Sequence, residues 1–381
     1  MKPQEYEASS SGRVIRTQAG FWAFVPKPLP PKIDWSPSLV STLSNADRAV
    51  GELNGLGANI PNPHLLIRPF LRKEAVLSSR IEGTYASLED IYAYEAVQLS
   101  FYERENDVRE VHNYVSALEY GLERLNSIPV SLRLIKEMHA RLMEGVRGEI
   151  WTPGEFRRSQ NWIGSPGSTL ETAEFVPPPV SEMLDALNDL ENFIHAPSNL
   201  PPLVRLGMIH YQFEAIHPFL DGNGRIGRLL LMLLFCTWDL LSQPLLYLSA
   251  YFEANRPAYY DGLLAVSQKG AWQEWLIYFL AGVEAQARDA VERIYRLQKL
   301  QAAYHSQIQA ERAAARLLRL VDFLFAQPIL TVRQVEAELE INYPTAQRYV
   351  ERLESMDILR EVTGQARNRV YRADEIIRAL Q

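Results

Sequence analysis

From about residue 36 to about residue 300 the apolar positions recur every three or four residues, as in Ile135, Met138 and Leu142, and again in Leu206, Ile209, Phe213 and Ile216. Such spacing lays one apolar stripe along a helix, so most of this chain has to fold as helices that bury their stripes. One stretch departs from the period. Between Pro153 and Pro179, Trp162-Ile163-Gly164 and Phe175-Val176 flank a Ser165-Pro166-Gly167 turn signal, which predicts a β-hairpin ended by Pro177-Pro178-Pro179. A charged, alanine-rich helix is expected to continue to about residue 327, after which the pattern changes again. Val332–Leu339 reads as a short helix, Ile341–Pro344 as a turn and Thr345–Met356 as a second helix, followed by two strands, Ile358–Val362 and Arg369–Arg372, around Gly364. That is the order of a winged helix-turn-helix. The expected fold is mainly α: an all-helical core with a β-hairpin flap, plus a small C-terminal winged helix-turn-helix domain.

The 381 residues suggest two or three domains. The expected boundaries are an N-terminal arm over 1–35, a helical region over 36–110, a core over 111–300 and the winged helix over 301–381. The arm carries Phe21–Pro31, a stretch both proline-rich and aromatic. It is expected to lie as an irregular, extended segment over the protein's own surface rather than to serve SH3-like readers. Hydrophobic residues at 47% and charged ones at 22% fit a folded soluble protein, and a net charge of −7 gives no support to coating nucleic acid or anionic membrane. Cys236 is the single cysteine, so no internal disulfide forms, and its apolar helical setting predicts a buried, inert thiol. The N-terminus has no apolar signal core, and the most hydrophobic run, Leu229–Leu241, is too short to span a bilayer and contains Asp239. No membrane partner and a cytoplasmic location are therefore expected.

The chemistry concentrates in His217-Pro218-Phe219-Leu220-Asp221-Gly222-Asn223-Gly224-Arg225-Ile226-Gly227-Arg228. Gly222-x-Gly224-x-x-Gly227 imitates a dinucleotide fingerprint. That fingerprint follows a strand and opens a βαβ unit, whereas the residues before Gly222 have a helical period. The same glycines suit a different role, since they open an apolar helix (Ile226, Leu229, Leu230, Leu233, Leu234) and let backbone N–H groups converge on an anion such as phosphate. Arg225 and Arg228 add fixed positive charge with fork geometry. Asp221 is a hard oxygen ligand suited to Mg²⁺ on phosphates, and His217 is a base beside that site. A capped surface turn with an incidental histidine would account for any one of these features but not for all of them within twelve residues. A metal hydrolase using His210 and His217 lacks a third ligand.

Every position of this stretch meets the pattern H-x-F-x-[D/E]-G-N-G-R-x-x-R, and in this the chain resembles the Fic family. The resemblance implies an all-helical core over roughly the middle half of the chain, which transfers AMP from ATP to a hydroxyl side chain of a target protein. It further implies that His217 deprotonates the hydroxyl and that Asp221 holds Mg²⁺ on the α- and β-phosphates. Asn223 and the backbone of Gly222 and Gly224 would seat the phosphates, Arg225 and Arg228 would neutralise charge, and Pro218 and Phe219 would shape the loop. Relatives with kinase-like activity carry a lysine where this chain has Gly224, which favours nucleotidyl over phosphoryl transfer. Tyr259, Tyr260 and Ser267 fall where relatives line an adenine pocket, although a relative has asparagine in place of Ser267.

Two further segments gain meaning from the resemblance. Ser78-Ser79-Arg80-Ile81-Glu82-Gly83 ends a helix, with Gly83 suited to the C′ position and Ser87 able to start the next helix. A carboxylate at a helix C-terminus is disfavoured by the dipole unless it has a partner. Ser78, Glu82 and Gly83 meet the Fic inhibitory pattern [S/T]-x-x-x-E-[G/N], which implies that Glu82 pairs with Arg228 and keeps it from the γ-phosphate. Some relatives use that glutamate to hydrolyse the AMP–protein bond. The predicted hairpin would be the flap that receives a target segment by strand addition, through Ile163, Gly164, Phe175 and Val176. Strand addition reads little sequence, so the target is unspecified; the chain itself, by auto-modification, is one candidate. From residue 301 onward there are 11 Lys+Arg and 11 Asp+Glu, a balance that disfavours DNA although Arg367, Arg369 and Arg372 cluster in the wing. Protein docking or support of a homodimer is the favoured role for that module. A DNA-binding regulator is the competing function.

Overall fold

A computed structural model describes every residue except 61–62, 98–104, 147–151, 166, 310–313, 366 and 381. The chain opens with a short 3-10 helix (Pro3–Tyr6), followed by β1 (Gly12–Arg16) and β2 (Trp22–Pro26), then α1 (Pro37–Ala58), α2 (Pro63–Ile81), α3 (Leu88–Val97), α4 (Glu105–Arg124) and α5 (Leu132–Leu142). There follow α6 (Val180–His195), α7 (Pro202–Ile216), α8 (Asn223–Thr237), α9 (Ser249–Ala254), α10 (Arg256–Lys269) and α11 (Trp272–Ile308). The last part consists of α12 (Ala314–Ala326), β3 (Ile329–Thr331), α13 (Val332–Leu339), α14 (Tyr343–Glu354), β4 (Arg360–Glu361), β5 (Val370–Arg372) and α15 (Asp374–Leu380). No helix among the described residues is long and apolar enough to cross a membrane.

Local chemistry sets the helix starts. Ser36 and Ser131 accept the N–H of Leu39 and Leu134 and cap α1 and α5, while Thr331 and Gln334 form a reciprocal capping box on α13. Ser87 caps α3 by accepting from Asp90 N–H at 3.1 Å, and Asp90 returns a bond to Ser87 N–H at 2.8 Å. Gly83 takes φ 94° just past the end of α2, the left-handed exit that glycine tolerates best. At the centre lies α8, where every residue from Arg225 to Phe235 is buried. A helix apolar on all sides has to be enclosed, and α2, α4, α5 and α7 pack around it. The long α11 runs beside α1.

Three expectations need amendment. The arm is not irregular: β1 and β2 pair antiparallel with Val14 opposite Phe24, and Ala23, Phe24 and Val25 are buried in succession, since a short unbroken apolar run suits a strand covered on both faces. The flap, by contrast, is less regular than a hairpin, with Ile163↔Phe175 as its single β-bridge among the described residues. In the C-terminal module the second helix starts at Tyr343, since Asn342 caps it and Pro344 fits its first turn. A third strand, β3, also joins the two expected there, giving an antiparallel sheet of order β3-β5-β4. This module lies against the back of α2 and α3: α12 packs on α2 and β3 on α3. Lys73 donates to Leu380 O at 3.2 Å, and Arg372 meets Glu89 at 2.9 Å.

Candidate active site

The segment from His217 to Asn223 joins two buried helices and is braced on every side. His217 closes α7 in the left-handed region (φ 50°, ψ 61°), its N–H donating to Phe213 O at 3.0 Å. For a residue with a Cβ this conformation costs about 1 kcal/mol, so something outside the helix has to hold it. Arg157 Nε donates to His217 O at 3.0 Å and Asn161 Nδ2 at 3.2 Å, and Asn161 also reaches Phe219 O at 2.7 Å. Phe219 is fully buried and stacks on His139, with centroids 3.7 Å apart and planes within 4°. His139 Nδ1 accepts from Gly154 N–H at 2.9 Å, so the ring's remaining proton lies on Nε2, which donates to Asp221 O at 3.0 Å. Gly222 takes φ 78°, and a Cβ there would meet Met143 Sδ and His139. Asn223 ties off the loop, accepting Phe219 N–H and donating to Phe219 O, both at 2.8 Å. Its amide thus shapes the loop, leaving the first backbone amides of α8, which have no side-chain cap, as the donors for an anion.

The imidazole of His217 is half-buried. Its Nδ1 lies 3.3 Å from Glu214 O, which puts the proton there and leaves Nε2 with a free lone pair. Burial first, and then the Arg157 guanidinium, pull the ring down to about 4, so it is neutral at pH 7 and able to take a proton. Burial holds His139 at about 4 and His210, packed among Phe252, Tyr259 and Trp275, at about 3.

The two motif arginines have different partners. Arg228 Nε donates to Ser78 Oγ at 2.8 Å, and its Nη2 donates to Ser78 O at 3.0 Å and to Glu82 Oε1 at 2.6 Å. Burial works to raise Glu82, but Arg228, with help from Arg225 and His217, brings it below the usual carboxylate range. The Glu82 side chain stays 34% exposed while Arg228 is 2% exposed, so the pair closes the site from its rim. Glu82 rests directly on Gly224, where an added Cβ would lie 2.3 Å from its Oε1. Two turns earlier in α2, Glu74 accepts from Tyr114 OH at 3.1 Å and from both the N–H and the hydroxyl of Ser249, fixing the helix that presents Ser78 and Glu82. Arg225 instead turns inward to Glu110 at 3.3 Å, with Asp221 Oδ1 at 3.8 Å. Asp221 is 47% exposed in its side chain and accepts Gly222 N–H at 2.6 Å.

The flap and the adenine-side residues divide. Trp162 and Gly164 are exposed and Ile163 is half-buried, whereas Phe175 and Val176 are buried. Consecutive carbonyls of that second segment are occupied: Glu174 O by Tyr6 OH, Phe175 O by Ile163 N–H, Val176 O by Phe24 N–H, Pro177 O by Gln160 and Pro178 O by Arg157. The N-terminal arm thus already occupies two of these carbonyls, through Tyr6 and Phe24. Tyr260 is 40% exposed and lies where Glu82 and Arg228 act on it, but Ser267 is buried with its hydroxyl 2.9 Å from Tyr211 OH. Tyr259 is likewise buried, bonded to His210 at 2.8 Å. Ser267 and Tyr259 therefore face the core. Burial pushes Cys236 up to about 12, in keeping with an inert thiol. Arg157, Asn161, His139 and Glu110 carry no signal in the sequence; each acts through backbone or a distant partner and belongs to no local pattern.

The fold and this site define a helical domain built around a helix start without a side-chain cap, with a histidine beside it. Residues 40–123 match the Fic/DOC family N-terminal region and residues 129–235 the Fic/DOC family. The chain belongs to the Fic/DOC family. Proteins named protein adenylyltransferase Fic, from Drosophila virilis and Drosophila melanogaster, are 29% and 28% identical over 127 residues. The match takes in 32% of this chain and 24% of each relative, so the chain spans about a quarter of their length. The crystal structure of a Fic family protein from Desulfovibrio desulfuricans is similar over 91% of this chain and 98% of its own, with a TM-score of 0.59 at 19% identity. Fic-1 from C. elegans is similar over 68% of this chain and 74% of its own, with a TM-score of 0.53 at 22% identity. At these identities the structures speak for the fold.

Proposed function

We propose that the chain is a protein adenylyltransferase: it transfers AMP from ATP to a hydroxyl side chain of a target protein, and Glu82 restrains it at rest. The observation that carries this reading is the neutral His217, with Nε2 free, beside the uncapped amides that start α8. The target oxygen attacks the α-phosphorus as its proton passes to His217 Nε2, the bond to the β-phosphate bridging oxygen breaks, and diphosphate leaves. In-line displacement needs positioning and charge neutralisation more than covalent help. The amides of α8 cradle the phosphates, and Arg228 answers the γ-phosphate once it is released. Asp221, exposed and at the mouth of the amide nest, fits a Mg²⁺ bound through one carboxylate and substrate phosphates; that ion would supply charge neutralisation on the leaving diphosphate. Arg225, held by Glu110, contributes fixed positive potential from below.

The restraint follows from where Arg228 is engaged. With its donors on Ser78 and Glu82, it is withheld from the γ-phosphate, and ATP would settle in an unreactive pose. Gly224 matters twice, because it admits Glu82 and because it leaves no lysine to divert the chemistry to phosphoryl transfer. A target segment would pair with the open Trp162–Ser165 edge of the flap, the opposite edge being occupied by the arm. Tyr260 supports an adenine base from the exposed side.

Incubation of purified protein and a cell lysate with ATP labelled at the α-phosphate and Mg²⁺ tests the reading. Label should appear on protein with Glu82→Gly, less with the wild type and none with Glu82→Gly/His217→Ala. Absence of label from Glu82→Gly would overturn the reading. The capped α14 with its outward Arg348 keeps DNA binding as a second reading, which a salt-dependent gel shift addresses directly.

A further inference from the structure

We infer that Arg157 is the positioning residue of the base: it fixes the His217 main chain in its left-handed conformation and links that conformation to the root of the flap. The inference rests on the nucleotidyl-transfer reading. Arg157 is 1% exposed, and no carboxylate among the described residues forms an ion pair with it. An unpaired buried cation is expensive, so its surroundings must compensate. They do so with carbonyls: Nε to His217 O at 3.0 Å, Nη2 to Pro178 O at 2.5 Å and Ile216 O at 3.5 Å, and Nη1 to Ser159 O at 3.4 Å. Arg157 N–H adds a bond to Pro218 O at 2.9 Å. Ile216 and His217 supply the last carbonyls of α7, which have no partner within the helix and carry the negative end of its dipole. Arg157 is thus a helix C-cap delivered from a distant segment, and its charge is met by that dipole.

The consequence reaches the reacting atoms. The direction of the His217 side chain follows from its φ and ψ, and with the ring's Nδ1 on Glu214 O, the carbonyl held by Arg157 decides where Nε2 points. Pro178 O, on the same guanidinium, ends the flap's second segment, so base and target-docking element share one anchor. The charged groups facing the ring are Arg157, Glu82 and Asp221. Arg157 alone among them is cationic, and it favours the neutral imidazole.

The test uses the Glu82→Gly protein with Arg157→Met, which removes charge and carbonyl bonds, or Arg157→Lys, which keeps the charge. We expect kcat for label transfer from ATP to lysate proteins to fall by about 10²-fold in Arg157→Met, the order of loss from a misplaced group. KM for ATP should stay within about threefold, because the amide nest is untouched. The His217 ring, followed by NMR, should titrate at higher pH in Arg157→Met and near its parental value in Arg157→Lys, while Arg157→Lys still loses most of kcat. If Arg157→Met does not fold, the lysine variant decides alone through its kcat. A folded variant of either kind with kcat within about twofold of the parent and an unmoved His217 titration would overturn the inference. A parent that transfers no label rejects the nucleotidyl reading instead, and the NMR titration then still decides whether Arg157 governs the ring.

Discussion

The loop between α7 and α8 and the segment between α5 and α6 converge on His217, yet they are held in different ways. In the loop nearly every polar group has a fixed partner: Asn223 on Phe219, His139 on Asp221, Arg157 and Asn161 on His217. In the flap one bridge, Ile163↔Phe175, joins the two sides, and the Trp162–Gly164 side is open to solvent. Chemistry that depends on a base and an anion site within fractions of an ångström rewards a rigid frame. A docking edge that reads main chain rewards an unfilled strand. On the proposed reading, the rigid loop would serve the chemistry and the open edge the target.

The sharpest way to break that contrast is at the base. Replacing His217 by alanine in the Glu82→Gly protein should lower label transfer by about 10²–10⁴-fold, the usual range for a general base, with an unchanged melting temperature as the control. Acid comes next, and it probes the rigid side. His139, His210 and His217 all titrate below the ordinary 6.5 in the folded chain, so the unfolded chain binds protons that the folded one refuses. Stability is full above pH 6.5 and is lost as pH falls towards 4, by up to about 1.4 kcal/mol per pH unit for each buried ring. Melting curves between about pH 7.5 and about pH 5 should drop accordingly, and a flat profile would show that these rings are not held neutral.

Freeing Arg228 has a smaller effect. Glu82→Gly should raise label transfer by about tenfold or more, since a resting population of a tenth or less in the competent state corresponds to about 1.4 kcal/mol. Equal rates would mean that the Glu82–Arg228 contact restrains nothing. The least effect is expected at the flap: Trp162→Ala, on the open edge, should change the apparent affinity for target protein about threefold and leave KM for ATP unchanged. A loss as large as that of His217→Ala would make the flap part of the rigid frame and erase the distinction.

Legibility followed the range of the interaction. The twelve residues from His217 to Arg228 stand out in the sequence because histidine, glycines and arginines are neighbours in the chain, and Ser78 and Glu82 stand out because their spacing spans one helical turn. Arg157 lies 60 positions from His217, and Glu110 lies 115 from Arg225; no period or spacing announces such pairs. For Ser267 a hydroxyl in the sequence gives no sign of which neighbour it bonds, and here that neighbour is Tyr211. The arm's strands were concealed by the prolines that follow them, and β3 by its length of three residues. The helical core needed only apolar spacing, which is why it was the most readable part.

Glu82 sits on Gly224 where a Cβ would have stood. The restraint proposed for Glu82 would therefore need both a carboxylate and a missing atom, contributed by positions far apart in the chain. A relative that keeps the glutamate but fills the glycine would carry the emblem of the brake without its seat. On that proposal the glutamate and the glycine have to be inherited, and read, as a single character.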